Sequence, residues 1–141
     1  MSEILFRGKR RDNGEWVVGY VMIHDNDKAT IFRQHQGDGG LEGFEVDPET
    51  VGQYAGLTDK NGKKIYEGDI ISGPGNIPWL VDFERNAFVA KDDEMELYFA
   101  LFEQWEYDYK NKKHISPSNK FEVIGNIHDN PELLKVGGGD A

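Results

Sequence analysis

Tyr54-Ala55-Gly56-Leu57-Thr58-Asp59-Lys60-Asn61-Gly62-Lys63-Lys64-Ile65-Tyr66-Glu67-Gly68-Asp69-Ile70-Ile71 is the stretch on which the reading of this chain turns. Two chemistries compete for it. Gly56 and Gly62 followed by Lys63-Lys64 resemble a loop that cradles phosphate. That motif, however, needs four residues between its glycines rather than five, Ser or Thr after the lysine, and a helix whose N-terminus holds the anion. The alternative is a tight reversal. Asp59 stands at its first position, where a carboxylate can accept backbone N–H bonds, and Gly62 at its last, where a left-handed residue completes a bulged hairpin. Tyr54 and Leu57 on one arm, with Ile65 and Tyr66 on the other, give both strands something to bury. We therefore read a framework hairpin with Asp59, Asn61 and Gly62 as its turn residues, and Gly68-Asp69 as a bulge or bend before Ile70-Ile71. Glu67 and Asp69 would share a face of a regular strand, but an acid–base pair also needs one member buried with a raised pKa, so Asp69 is taken as a turn acceptor of backbone N–H bonds.

Working outward toward the N-terminus, the same punctuation recurs. Asp12-Asn13-Gly14 between Ile4-Leu5-Phe6-Arg7 and the run Trp16 to Ile23 predicts a first hairpin, and Asp25 to Lys28 a second turn into Ala29-Thr30-Ile31-Phe32-Arg33. Gln36 to Gly43, with four glycines, reads as a mobile surface loop. Phe44-Glu45-Val46 and Asp47-Pro48-Glu49-Thr50 then lead back into Val51 to Tyr54.

Toward the C-terminus, Gly73 to Pro78 is a long turn, and Trp79 to Phe83 with Ala87 to Ala90 form a hairpin around Glu84-Arg85-Asn86. Met95, Tyr98, Phe99 and Phe102 recur at helical spacing, so a helix is expected over about 93–104. Trp105, Tyr107 and Tyr109 alternate with acids at a strand period, which leaves residues 104–110 open between helix and strand. Phe121 to Ile127 reads as a buried strand, Asn130 to Leu134 as a capped helical turn with Pro131 at its first position, and 137–141 as a disordered tail. The expected architecture is mainly β (α+β) and a single domain over 1–136. An antiparallel meander over about 1–45 precedes a small barrel-like module over about 46–136, which carries one inserted helix and a short C-terminal helical turn.

Two long blocks, Val46 to Ile71 and Phe121-Glu122-Val123-Ile124-Gly125-Asn126-Ile127-His128-Asp129-Asn130-Pro131-Glu132-Leu133-Leu134, occur in an order that closely resembles the YopX family of phage and prophage proteins, whose opening Ile4-Leu5-Phe6-Arg7 also fits. Ala55 stands where Thr is expected, and Ile77 to Lys120 is too variable to align. The resemblance implies a phage or prophage product in a bacterial cytoplasm, a β-rich fold and self-association. It brings no catalytic or ligand-binding residue with it.

Composition narrows the chemistry. The 141 residues hold 26 acidic and 16 basic side chains, a net charge of −10, which argues against a general binder of phosphate backbones; no membrane partner is expected. The absence of cysteine removes disulfides, thiolate metal sites and thiol nucleophiles. No apolar run is long enough to span a bilayer, and the opening residues do not read as a secretory signal, so a cytoplasmic setting is expected. His24, His35, His114 and His128 lack the one-turn helical spacing of metal ligands, and Asp25-Asn26-Asp27 lacks the later ligands of a calcium loop. Ser2, Ser72, Ser116 and Ser118 sit in no Gly-x-Ser-x-Gly elbow. Gly37 to Gly40 has Glu42 where a dinucleotide fingerprint needs glycine. No cofactor and no metal is expected, and no catalytic residue is assigned.

Aromatics and acids remain. Asp92 to Asp108 carries seven acids and no Lys or Arg, and the chain holds seventeen aromatic rings, more than a small core readily hides. Trp79, Trp105, Tyr107 and Tyr109 are the candidate protein interface, since Tyr and Trp desolvate a large area at low entropic cost. The competing reading places them in the core. The expected function is non-enzymatic: an accessory protein that works through protein contacts and associates with itself, with a further host or phage protein as the other partner. Two alternatives come from the same acids: imitation of DNA phosphates to occupy a host DNA-binding protein, and a small metal-dependent hydrolase or nuclease with a composite carboxylate site.

Overall fold

The computed structural model describes residues 4–35, 37–92 and 97–134. Its contacts divide the chain after Tyr54 into two compact units.

The first unit is an antiparallel meander of β1 (Phe6–Lys9), β2 (Trp16–Ile23), β3 (Ala29–Gln34) and β4 (Leu41–Val46), each strand pairing with the next. The turns carry the chemistry that their residues supply. Gly14 adopts φ +74° and donates its N–H to the Arg10 carbonyl at 2.9 Å, while Asp27 takes φ +62° in the turn that His24 and Lys28 close. Alternation then sorts the faces. Val17, Ala29, Ile31 and Val46 are buried together with Phe6, Val21, Phe44 and Val51 packed against them, while Val18, Tyr20 and Met22 of β2 stay exposed.

Leu41 to Gly43 correct the expected loop, because they belong to β4 and pair with β3. Gly43 faces Phe32, and a Cβ there would come within 2.7 Å of the Phe32 ring. The glycine that reads as loop marks a close approach beneath an aromatic side chain. Asp47 Oδ1 then accepts from Glu49 N–H at 3.1 Å to cap a 3-10 turn, Pro48–Thr50, and Thr50 Oγ1 accepts the Lys9 N–H at 2.9 Å. β5 (Gly52–Thr58) follows, its first residues lying beside β1.

The second unit contains β6 (Lys64–Tyr66), β7 (Asp69–Ser72), β8 (Pro78–Glu84), β9 (Ala87–Asp92), β10 (Leu97–Ala100), β11 (Glu106–Asp108), β12 (Lys113–Ile115) and β13 (Glu122–Asn126). β7 to β10 and β13 form one antiparallel sheet in the order β10-β9-β8-β7-β13, and β11 and β12 form a separate two-stranded ribbon. Arg85 and Asn86 link β8 to β9 with φ +51° and +65°, the two positive angles of a two-residue hairpin loop whose twist matches its strands. Leu57, Ile65, Ile71, Trp79, Val81, Ala90, Leu101 and Phe121 make the core, each large side chain contributing about 1.5–3 kcal/mol of burial. Phe99 sits edge-on to Trp79 at 4.9 Å and stacks on Phe121 at 6.2 Å.

Two expectations are corrected here. The helix over 93–104 is not formed in its described part: Leu97 to Ala100 pair with Asp92 to Val89 as a strand, and Leu101–Gln104 is a single 3-10 turn. Aromatic residues lose rotamer freedom in helices and suit a pleated surface, so a waiting partner in β9 outweighs the helical spacing. Residues 93–96 lie outside the described residues. The barrel-like module is an open sheet with β10 and β13 at its ends. On the outer flank of β13 the Val123 N–H goes to the Asp59 carboxylate at 2.9 Å and the Phe121 carbonyl accepts the Lys60 N–H, so the hairpin turn occupies the side where a closing strand would pair. At the C-terminus the helical turn is one 3-10 turn, Pro131–Leu134, and the expected tail over 137–141 falls outside the described residues.

Candidate functional site

The hairpin that opens the second unit is organised around one side chain. Asp59 is 2% exposed. Its Oδ1 accepts the N–H groups of Asn61 and Lys63, both at 2.9 Å, its Oδ2 accepts the Val123 N–H, and its carbonyl accepts the Gly62 N–H at 3.0 Å, with Gly62 at φ +83°. Burial pushes the carboxyl up, but the N–H donors of Val123, Lys63 and Asn61 together with the Lys63 charge outweigh it, and the net shift is downward. An ionised, fully engaged carboxylate of this kind is a structural clamp and not a proton donor. The residue after Lys63 begins strand β6, so no helix N-terminus follows Gly62.

Gly68, at φ +95°, turns β6 into β7, donating to the Val81 carbonyl and accepting from Ile127 N–H, each at 2.8 Å. Asp69 is buried and its Oδ2 accepts the Tyr66 N–H at 2.8 Å. The serines and threonine near the hairpin are likewise engaged, with Ser116 and Ser118 hydroxyls 2.8 Å apart and Thr58 3.3 Å from Ser118. Among the described residues, no three His, Asp or Glu side chains come together in a way that could hold a metal ion. Lys91 reaches Asp82 at 2.8 Å and Glu84 at 2.7 Å, and their carboxylates hold the ammonium well above its ordinary pKa, as a charge and not a base.

The four aromatic residues of the candidate interface do not share one environment. Trp79 is buried, with its Nε1–H donating to the Pro74 carbonyl at 3.0 Å, and serves the core. Trp105, Tyr107 and Tyr109 stay on the surface, Tyr109 at 83% exposure. Tyr107 is set edge-on to Tyr109 at 4.8 Å and to His114 of the facing strand at 5.0 Å, so these three rings lie in mutual contact. Asp108 closes the ribbon's turn by accepting from Asn111 Nδ2 at 2.7 Å and from the Lys110 and Asn111 N–H groups, and these bonds lower its pKa. Glu106 meets Lys120 at 2.7 Å and is likewise lowered. Trp105 also walls a cleft of about 230 Å³ that is lined by Gly56, Leu57, Asn86, Phe88 and Leu101.

Sequence reasoning missed that cleft, because its walls come from three separated segments, and it missed the exposed Leu97 and Tyr98 on β10. The signal for the latter was present: Leu97-Tyr98-Phe99-Ala100 is an uncharged run inside the most acidic stretch of the chain.

Among the described residues, no helix is long and apolar enough to cross a membrane. No curated protein matches the chain. Its fold is similar to the crystal structure of protein EF1440 from Enterococcus faecalis, with a TM-score of 0.52 and 22% identity over 95% of this chain and 99% of that one. The model of the family described as YopX protein matches residues 5–135, and with that coverage the chain belongs to the YopX family.

Proposed function

We propose that this protein is a non-enzymatic phage or prophage accessory protein that acts through protein contacts and associates with itself, using the array of Trp105, Tyr107 and Tyr109. The observation that carries this reading is the β11–β12 ribbon. A lone two-stranded ribbon is marginal in water, yet this one brings Tyr107, Tyr109 and His114 into ring contact with the two tyrosines and Ile115 exposed. Such rings become energetically useful when a second surface desolvates them. Imitation of nucleic-acid phosphates is less well supported, since Glu106 and Asp108 are engaged with Lys120 and the ribbon's own turn.

Sedimentation of the full chain over a range of concentrations tests the reading. The wild type should form a defined oligomer that persists as salt is raised, because ring burial is screened far less than charge pairing. A variant with Tyr107→Ser and Tyr109→Ser should run as a folded monomer. A wild type that stays monomeric at the highest concentration reached would sink the self-association part.

A further inference from the structure

Charge at the end of the β11–β12 ribbon is not what its acidic surroundings in the sequence suggest. Asp108 spends its carboxylate on the turn, accepting from Asn111 Nδ2 and from the Lys110 and Asn111 N–H groups, and Glu106 is paired with Lys120. Lys110, Lys112 and Lys113 are exposed, and among the described residues none of them meets a carboxylate. The acids of the ribbon are occupied while three ammonium groups beside them are free, so the tip is a cationic spot on an acidic chain.

The backbone singles out one of these lysines. Lys112 takes φ +54°, a left-handed angle that costs an ordinary side chain and that glycine adopts freely. Asp27, Asn76 and Asn86 occupy the same region and are of the types that tolerate it, which leaves Arg85 and Lys112 as the exceptions among the described residues other than glycine. Both are exposed cations without a carboxylate partner among the described residues, and only Lys112 has further lysines within two positions of it. Lysines that merely keep a strand from pairing belong in the strand. Lys110 and Lys112 lie in the turn, before β12 begins at Lys113. A strained position held by a charged side chain instead of glycine points to a use for the charge.

Rings stand beside these cations. Tyr109 precedes Lys110, is exposed and touches Tyr107. Exposed rings among unpaired ammonium groups suit a partner that brings carboxylates together with apolar side chains. A nucleic acid also offers anions and flat rings, but its backbone would run on past the rest of a chain with a net charge of −10, whereas a short acidic segment can end at the tip. We propose that the tip of the ribbon, Tyr109 with Lys110, Lys112 and Lys113, is the docking point for an extended acidic segment of another protein. This rests on the reading of protein contacts given above and names the chemistry of the partner.

Fluorescence anisotropy of a labelled synthetic peptide alternating Glu and Leu, titrated with the full chain, tests the proposal. The peptide should bind, and binding should weaken by about tenfold as salt rises from about 0.05 to about 0.5 M. Lys112→Gly is the discriminating variant: relief of the backbone should raise the urea midpoint, while loss of one exposed ion pair should weaken binding by about two- to threefold. Lys110→Gln, Lys112→Gly and Lys113→Gln combined should weaken it by about tenfold. A Lys112→Gly protein that binds the peptide unchanged overturns the proposal, as does equal binding of a Lys-Leu peptide, no binding of the Glu-Leu peptide, or a tighter complex with a thymidine oligonucleotide of equal length. Sedimentation of the same samples keeps the two readings apart. A monomer that binds the acidic peptide sinks self-association and upholds the docking tip, and an oligomer that ignores the peptide does the reverse. A combined lysine variant that loses the wild-type oligomer overturns the proposal in favour of a second copy.

Discussion

Removing the Asp59 carboxylate should be among the most damaging single changes available in the second unit. Three backbone N–H groups converge on it, from Asn61, Lys63 and Val123, each at 2.9 Å, and hydrogen bonds to a charged group are worth about 1.5–3 kcal/mol apiece. Asn61 and Lys63 lie at the surface, where water can replace the lost acceptor, whereas Val123 is half-buried and packs against the core. Asp59→Ala should therefore cost about 3–4 kcal/mol, less than the sum of three full bonds but a large share of a typical stability of about 5–15 kcal/mol. Asp59→Asn keeps an acceptor for the two turn N–H groups while turning an NH2 toward Val123, and should cost about 2 kcal/mol.

Urea unfolding at neutral pH, followed by tryptophan fluorescence, measures both. The pH dependence supplies the sign. Because the folded pKa of Asp59 lies below its unfolded value of about 3.9, the stabilisation is present above about pH 4 and fades as pH falls through the folded value. The gap between wild type and Asp59→Asn should therefore narrow on acidification. An Asp59→Ala protein within about 1 kcal/mol of wild type, or a gap that does not change with pH, would refute the clamp.

Gly62 has open space around it, so only its backbone angle constrains it: Gly62→Ala should cost about 1 kcal/mol and Gly62→Asn clearly less, as denaturation midpoints would record. Trp79→Phe removes the bond to the Pro74 carbonyl and part of a buried ring, so it should destabilise by about 2 kcal/mol while leaving the oligomer of the folded protein unchanged in sedimentation; a loss of association with stability intact would mean that Trp79 faces a partner after all.

What could be read in the sequence was the chemistry that acts over a few residues. Asp59 with Gly62, Asn13-Gly14 and the turn around Arg85-Asn86 are specified by carboxylates and positive φ angles that need no distant partner. The missed features depend on what arrives from elsewhere. Tyr98 and Phe99 satisfy a helical spacing and a strand equally well until Lys91 and Ala90 are known to lie opposite them. Gly43 looks like loop until Phe32 is placed over it. Trp79 and Trp105 are alike in their acidic surroundings, and what separates them is a carbonyl at Pro74 within reach of one indole. That the outer flank of β13 would meet Asp59 depends on a residue 64 positions away.

The Asp59–Val123 bond joins residues 64 positions apart, and β7 must likewise wait for β13. During synthesis the first unit, whose hairpins pair neighbouring strands and whose longest ties reach from β1 only to Gly52 and Gln53, can assemble while the rest of the chain is still being made. The second unit cannot. Until Phe121 to Asn126 leave the ribosome, one flank of β7 and a buried-to-be carboxylate stay in water, so the pairing of β13 can only follow the rest of this sheet.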